Sequence, residues 1–95
     1  MSHPKTANVR HNPEKHRFEL DTPADLAVAD NRLAGNVMTI YHTEVPVPMR
    51  GRTFGYRLVA GALEEARHLG FKVVPECWFV RDVIGRRPEY QNLLS

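Results

Sequence analysis

Hydrophobic and polar positions alternate along the first half of the chain and fall at helical spacing along much of the second. Met1–Ala7 is polar, carries an early proline and reads as a loose end. Asn8–Arg10 can start a strand, His11–Lys15 reads as a turn, and His16–Leu20 alternates as its antiparallel partner. In that partner Phe18 and Leu20 face one way, Arg17 and Glu19 the other. Asp21-Thr22-Pro23 breaks the chain again. Asp25–Asp30 then alternates with Leu26 and Val28 on a common face, and Asn31–Gly35 reads as the next reversal.

Asn36–Val45 is the longest strand candidate. One face carries Val37, Thr39, Tyr41, Thr43 and Val45; the other carries Asn36, Met38, Ile40, His42 and Glu44. Both faces are apolar early on, which predicts a central strand covered on each side. The Met38 face turns polar at His42 and Glu44, near the strand's C-terminal end. Phe54–Leu69 follows with Leu58, Val59, Ala62, Leu63, Ala66 and Leu69 at helical spacing, and charged residues outside. Gly70 is placed for a left-handed cap. Gly61, inside the helix, costs about 1 kcal/mol relative to alanine, so close packing on the sheet is the expected reason for it.

Lys72–Cys77 is a short strand, Trp78–Arg87 a second helix stopped by Pro88, and Glu89–Ser95 a tail anchored by Tyr90 and Leu93. The β-α-β unit from Asn36 to Cys77 predicts a right-handed crossover between two parallel strands. The pattern as a whole predicts an α+β class: antiparallel N-terminal strands, then the crossover, then a C-terminal helix. Trp78 and Phe79 read as core, and Arg81, Arg86 and Arg87 as a solvated face.

Composition changes little. Ninety-five residues, 42% hydrophobic and 25% charged, suit one globular domain over 1–95. No apolar run reaches the length of a membrane span, and no signal-peptide core stands at the N-terminus, so no membrane partner and a cytoplasmic location are expected. The single cysteine, Cys77, allows no internal disulfide, and the five histidines show no ligand spacing, so no metal is expected. A formal charge of +2 is too small to argue for nucleic acid.

The position of the arginines matters more than their number. Val45-Pro-Val-Pro-Met-Arg-Gly-Arg-Thr-Phe-Gly55 lies between the long strand and the long helix. Pro46 and Pro48 stop the strand, since proline gives a ladder no N–H. Arginines and glycines then lead into a helix whose first turn carries unpaired N–H groups and partial positive charge. Strand, Gly/Arg loop and helix N-terminus together make an anion receptor, most often for phosphate.

Taken in order, His42-Thr-Glu-Val45, Pro48-Met-Arg-Gly-Arg52, the helix to Gly70, Val73-Val-Pro75, Cys77 and Arg87-Pro-Glu-Tyr90 resemble the minimal, single-domain branch of the GNAT acyltransferases, from about Val9 to Leu94. The resemblance implies a GNAT-like mixed sheet whose two parallel strands splay apart near Val45 and Cys77. It implies acetyl-CoA as acyl donor, with pantetheine in the gap and the Val45 N–H on the thioester carbonyl. Arg50, Gly51, Arg52, Thr53, Phe54 and Gly55 would hold the pyrophosphate, on the family pattern Arg/Gln-x-x-Gly-x-Gly/Ala. Thr53 departs from that pattern where the first glycine is usual, and either crowds the phosphates or donates its hydroxyl to them.

Glu44 and His42, on one strand face at the cofactor's acyl end, are candidates by position for the base that frees an attacking amine; Cys77, which resembles a cysteine of that branch, is a nucleophile or a proton donor to the leaving thiolate. The expected function is acetyl-CoA-dependent transfer of an acetyl group to an amine. The alternatives are a coenzyme A-binding module without catalysis, and a nucleic-acid binder using Arg50, Arg52 and Arg57. Cys77 can equally be an inert thiol, and His42 and Glu44 solvated side chains. Only short turns separate the early strands, so the acceptor site is expected to be open. A monomer and a homodimer both remain compatible with the sequence.

Overall fold

A computed structural model describes residues 9–95; the loose end expected over Met1–Ala7 and the strand start at Asn8 lie outside the described residues. Among the described residues five strands form one sheet in sequential order: β1 (Val9–Asn12), β2 (Arg17–Asp21), β3 (Leu26–Ala34), β4 (Val37–Glu44) and β5 (Lys72–Pro75). The first four pair antiparallel, and β4 pairs with β5 in parallel. Helix α1 (Phe54–His68) makes the crossover between those two, and α2 (Trp78–Arg86) follows β5. This is the α+β, mixed-sheet arrangement that the pattern implies.

The sheet buries one face. Phe18, Leu20, Ala27, Ala29, Met38, Ile40 and Val73 pack against Leu58, Val59, Ala62, Leu63 and Ala66 of α1, and Val80, Val83 and Ile84 of α2 join the same core. The sequence reading of β4 as covered on both sides is therefore corrected. Val37 and Thr39 are only half-buried, and no described helix covers their face. Small residues explain why α1 lies so close. Ala27 and Ala29, rather than Leu26 and Val28, point at the helix, and a Cβ on Gly61 would stand 2.3 Å from the Val9 side chain. The expected close packing at Gly61 is what the structure shows.

The structure departs from the sequence reading in several places: β1 runs on through His11 to Asn12, where a turn from His11 was expected. Strand β3 continues through Asn31 to Ala34, and only Gly35 and Asn36 make the reversal, with Gly35 at φ +61°. The polar run stays in the ladder because the Asn31 N–H donates to the His16 carbonyl at 2.9 Å and Arg32 lies on the open face opposite Thr39. Strand β5 stops at Pro75, short of Cys77, and the Glu76 and Cys77 N–H groups both donate to the Ile40 carbonyl, at 3.0 and 3.1 Å. Trp78 is 68% exposed instead of buried, since the buried stripe of α2 runs through Val80, Val83 and Ile84.

Other expectations agree. Gly70 adopts φ +81° just past α1, and the Phe71 N–H reaches back to the Ala66 carbonyl at 2.9 Å. Tyr90 and Leu93 anchor the C-terminal segment in the core, and Leu94 bridges to Val73 on the outer side of β5.

Candidate functional site

The site begins with a register shift. On β3 the consecutive residues Asp30 and Asn31 face His42 and Ile40 of β4, so Tyr41 is an extra residue without a partner. Such a bulge turns the strand and exchanges its faces from that point on. Before it, Met38 and Ile40 face α1; after it, Thr43 does, opposite the buried Ala29. His42 and Glu44 are thereby carried to the open face, contrary to the expectation that they continue the Met38 face.

The same segment parts from its other neighbour. The β4–β5 ladder ends at Ile40 and Pro75, while β4 runs on to Glu44. Pro75 can give the ladder no N–H. Arg81 holds the β5 end from outside, donating from Nη1 to the carbonyls of Pro75 (3.1 Å) and Glu76 (2.8 Å). The implied splay is therefore present: Tyr41–Glu44 on one side, Glu76 and Cys77 on the other.

Cys77 sits half-buried in this split, at the N-cap of α2. Its Sγ is 3.6 Å from the Thr43 hydroxyl, and either atom can donate. Burial pushes the thiol up. Against that, the Thr43 hydroxyl and the backbone amides of Val80, Phe79 and Thr43 favour the thiolate, and together they hold Cys77 below the ordinary thiol value. The sulfur makes no cap hydrogen bond with its own helix, and the Thr43 hydroxyl is its side-chain partner. Sequence reading missed Thr43, because only the bulge at Tyr41 brings it round to Cys77.

His42 and Glu44 remain neighbours, with Nε2 3.4 Å from Oε1 and both side chains more than half exposed. Beside them Arg32 lies over the Tyr41 ring at 4.8 Å and pairs with Glu76 at 3.4 Å. The open face thus carries the titratable pair, and the α1 side of the split carries the thiol.

Beyond β4 the chain turns through Val47–Met49 into the arginine loop. The Arg50 Nε donates to the Val45 carbonyl at 2.9 Å, folding the loop back on the strand end. Gly51 adopts φ +78°, a conformation that side chains resist, with open space where a Cβ would stand. Arg52 is exposed. Thr53 caps α1 in position but makes no side-chain cap hydrogen bond. The Arg57 N–H donates to the Thr53 carbonyl at 2.9 Å, so the amides of Phe54, Gly55 and Tyr56 ahead of it have no partner within the helix. A Cβ on Gly55 would meet the Phe79 ring at 3.2 Å and Val45 at 3.6 Å, which explains glycine there: the first turn of α1 is pressed between the strand end and α2. Among the described residues no group of His, Cys, Asp or Glu could hold a metal ion, and no helix is long and apolar enough to cross a membrane.

A family model for the GCN5-related N-acetyltransferases matches residues 17–93. The chain belongs to that family. Its fold is also similar to the solution NMR structure of a GCN5-like candidate N-acetyltransferase from Staphylococcus aureus. The likeness has a TM-score of 0.65 at 21% identity, over 95% of this chain and 89% of that one. At that identity the likeness speaks for the fold, while the family match places this N-acetyltransferase domain among acetyl-transferring enzymes. The described elements that surround the split, from β2 to the C-terminal turn, all fall inside the matched span.

Proposed function

We propose that this N-acetyltransferase uses acetyl-CoA to acetylate an amine presented on the open face of its sheet. The observation that carries the reading is the split itself: Tyr41–Glu44 unpaired toward β5, with the arginine loop and the free first turn of α1 at its end. The residues present fit a coenzyme A diphosphate. Positive φ at Gly51, unpartnered amides at Phe54, Gly55 and Tyr56, and a Thr53 hydroxyl not spent on capping make an anion cradle. Arg50 and Arg52 add charge, and Thr53, which stands where the family pattern has glycine, donates its hydroxyl. When bound, acetyl-CoA supplies the activated acyl group.

The chain's own residues divide the remaining work. Backbone N–H groups in the split, that of Val45 foremost, are fixed in advance and suit a developing oxyanion. An ammonium acceptor must lose a proton before it can attack, and the His42–Glu44 pair on the open face is placed to take it. Cys77 exchanges a proton at the sulfur end of the split, which its lowered pKa favours.

Acetyl-CoA should raise the thermal midpoint, since a ligand of the native state alone stabilises it. Amines added with acetyl-CoA should then release free thiol. An unchanged midpoint at saturating acetyl-CoA would remove the proposal. Binding without amine-dependent release would instead favour a coenzyme A-binding module, the reading that Thr53 in place of glycine keeps open.

A further inference from the structure

We propose that Thr43 is a positioning residue for this site: its hydroxyl donates to the Cys77 sulfur and holds it at the split. Two separate observations meet here. The unpaired Tyr41 shifts the register so that Thr43, and neither His42 nor Glu44, shares the α1-facing side of β4. The end of the ladder at Pro75 then leaves Cys77 across from it, with the Thr43 Oγ1 3.6 Å from Sγ. Among the described residues no other side-chain hydrogen bond of the Thr43 hydroxyl competes, and the half-buried position of both groups limits the water that could replace it. A threonine is well suited to this task. Its branched Cβ leaves few χ1 rotamers in a strand, so the hydroxyl is held where the strand aims it.

Charged groups surround the pair without touching the sulfur. Glu76 precedes Cys77 and is engaged by Arg32; Arg81 follows and is engaged by the Pro75 and Glu76 carbonyls; His42 and Glu44 flank Thr43 but face the open side and pair with each other. Their fields act on Cys77 in every variant of Thr43, as do the amides of Thr43, Phe79 and Val80. What a Thr43 substitution removes is the hydroxyl alone.

Because Cys77 is the single cysteine, its ionisation can be read directly. The rate of iodoacetamide alkylation is measured against pH for the wild type, Thr43→Val and Thr43→Ser, with thermal midpoints alongside. Loss of the hydroxyl in T43V should move the alkylation midpoint upward by about half a pH unit, roughly a threefold loss of thiolate below the midpoint, while T43S, which keeps the hydroxyl without the branch, should move less. A T43V profile that coincides with the wild type, or a T43S profile that moves as far as T43V, would overturn the proposal. Should T43V lower the thermal midpoint sharply, Thr43→Ala, which puts no methyl group in the place of the hydroxyl, is used instead with the same two outcomes. The consequence for turnover, an acid limb of kcat/KM displaced in step with alkylation, rests on the acetyl-transfer reading. The alkylation profile does not, so failure of transfer and failure of the Thr43 contact are separable.

Discussion

The two halves of β4 are equal in length and differ in both composition and fate. Val37–Ile40 is paired on both edges and contributes Met38 and Ile40, both fully buried, to the core. Tyr41–Glu44 is paired only with β3, and three of its four side chains are exposed. One unpaired residue and one proline separate them. The first half shows what a mixed sheet does when every backbone group is satisfied; the second shows a strand whose outer edge is left free beside a thiol. Stability should therefore concentrate before Tyr41, and chemistry after it.

The sharpest break between the halves should come from Ile40→Ala, which empties a fully buried site and should cost about 3 kcal/mol in denaturant unfolding. Loss of less than about 1 kcal/mol would mean that the core does not depend on the paired half in this way. His42→Ala, in the second half, should behave oppositely. Its stability should stay within about 0.5 kcal/mol of the wild type, as for an exposed side chain. Its acetyl-transfer rate should fall by roughly tenfold or more, as on removal of a general base. Unaltered transfer in both His42→Ala and Glu44→Gln would separate that pair from the reaction.

Acid titration sharpens the contrast from the other end of the sheet. His11 stacks on Phe18 at 4.9 Å, and burial holds its pKa below 6.5, so the unfolded chain takes up a proton first as pH falls through that value. Glu19 is held below 4.5 chiefly by its hydrogen bond from Arg17, with Asn12 and Arg10 adding to it, so its contribution is present above that value and lost as pH falls toward the folded pKa. Stability should decline in two steps, beginning near 6.5 and again near 4.5. His11→Phe should flatten the upper step and Glu19→Gln the lower; retention of both steps in the variants would assign them elsewhere. The smallest effect should belong to Arg32→Ala, an exposed contact to Glu76 and Tyr41 whose loss should cost roughly 0–1 kcal/mol in the same unfolding assay.

What could be read in advance follows the same division. The helices, the β-α-β crossover and the caps were legible because apolar spacing, Gly70 and the prolines each leave a strong local mark. The bulge was not. Tyr41 sits in an unbroken alternation, and an extra residue in one strand shows only against the register of its partner, which the sequence does not print. That single residue decides which side chains reach Cys77, so Thr43 went unnoticed and His42 and Glu44 were assigned to the wrong face. Polar Asn31 and Arg32 hid the second half of β3 for a related reason: turn-like composition was overruled by the ladder. Glu19 was read correctly as pointing away from the core, yet it is nearly buried there under Arg10 and Arg17. The arginine loop was recognisable as an anion receptor, while its support by Arg50 on Val45 and by Phe79 on Gly55 required the folded chain.

The most direct measurement is an amide NMR titration of the protein with acetyl-CoA. The largest shifts should appear at Thr43, Val45 and the Gly51–Tyr56 amides, with β1 and β2 nearly unchanged. Saturating acetyl-CoA that moved no amide, or moved those of β1 and β2 while leaving the split and the first turn of α1 untouched, would contradict the claim that the divided strands and the arginine loop form the donor site.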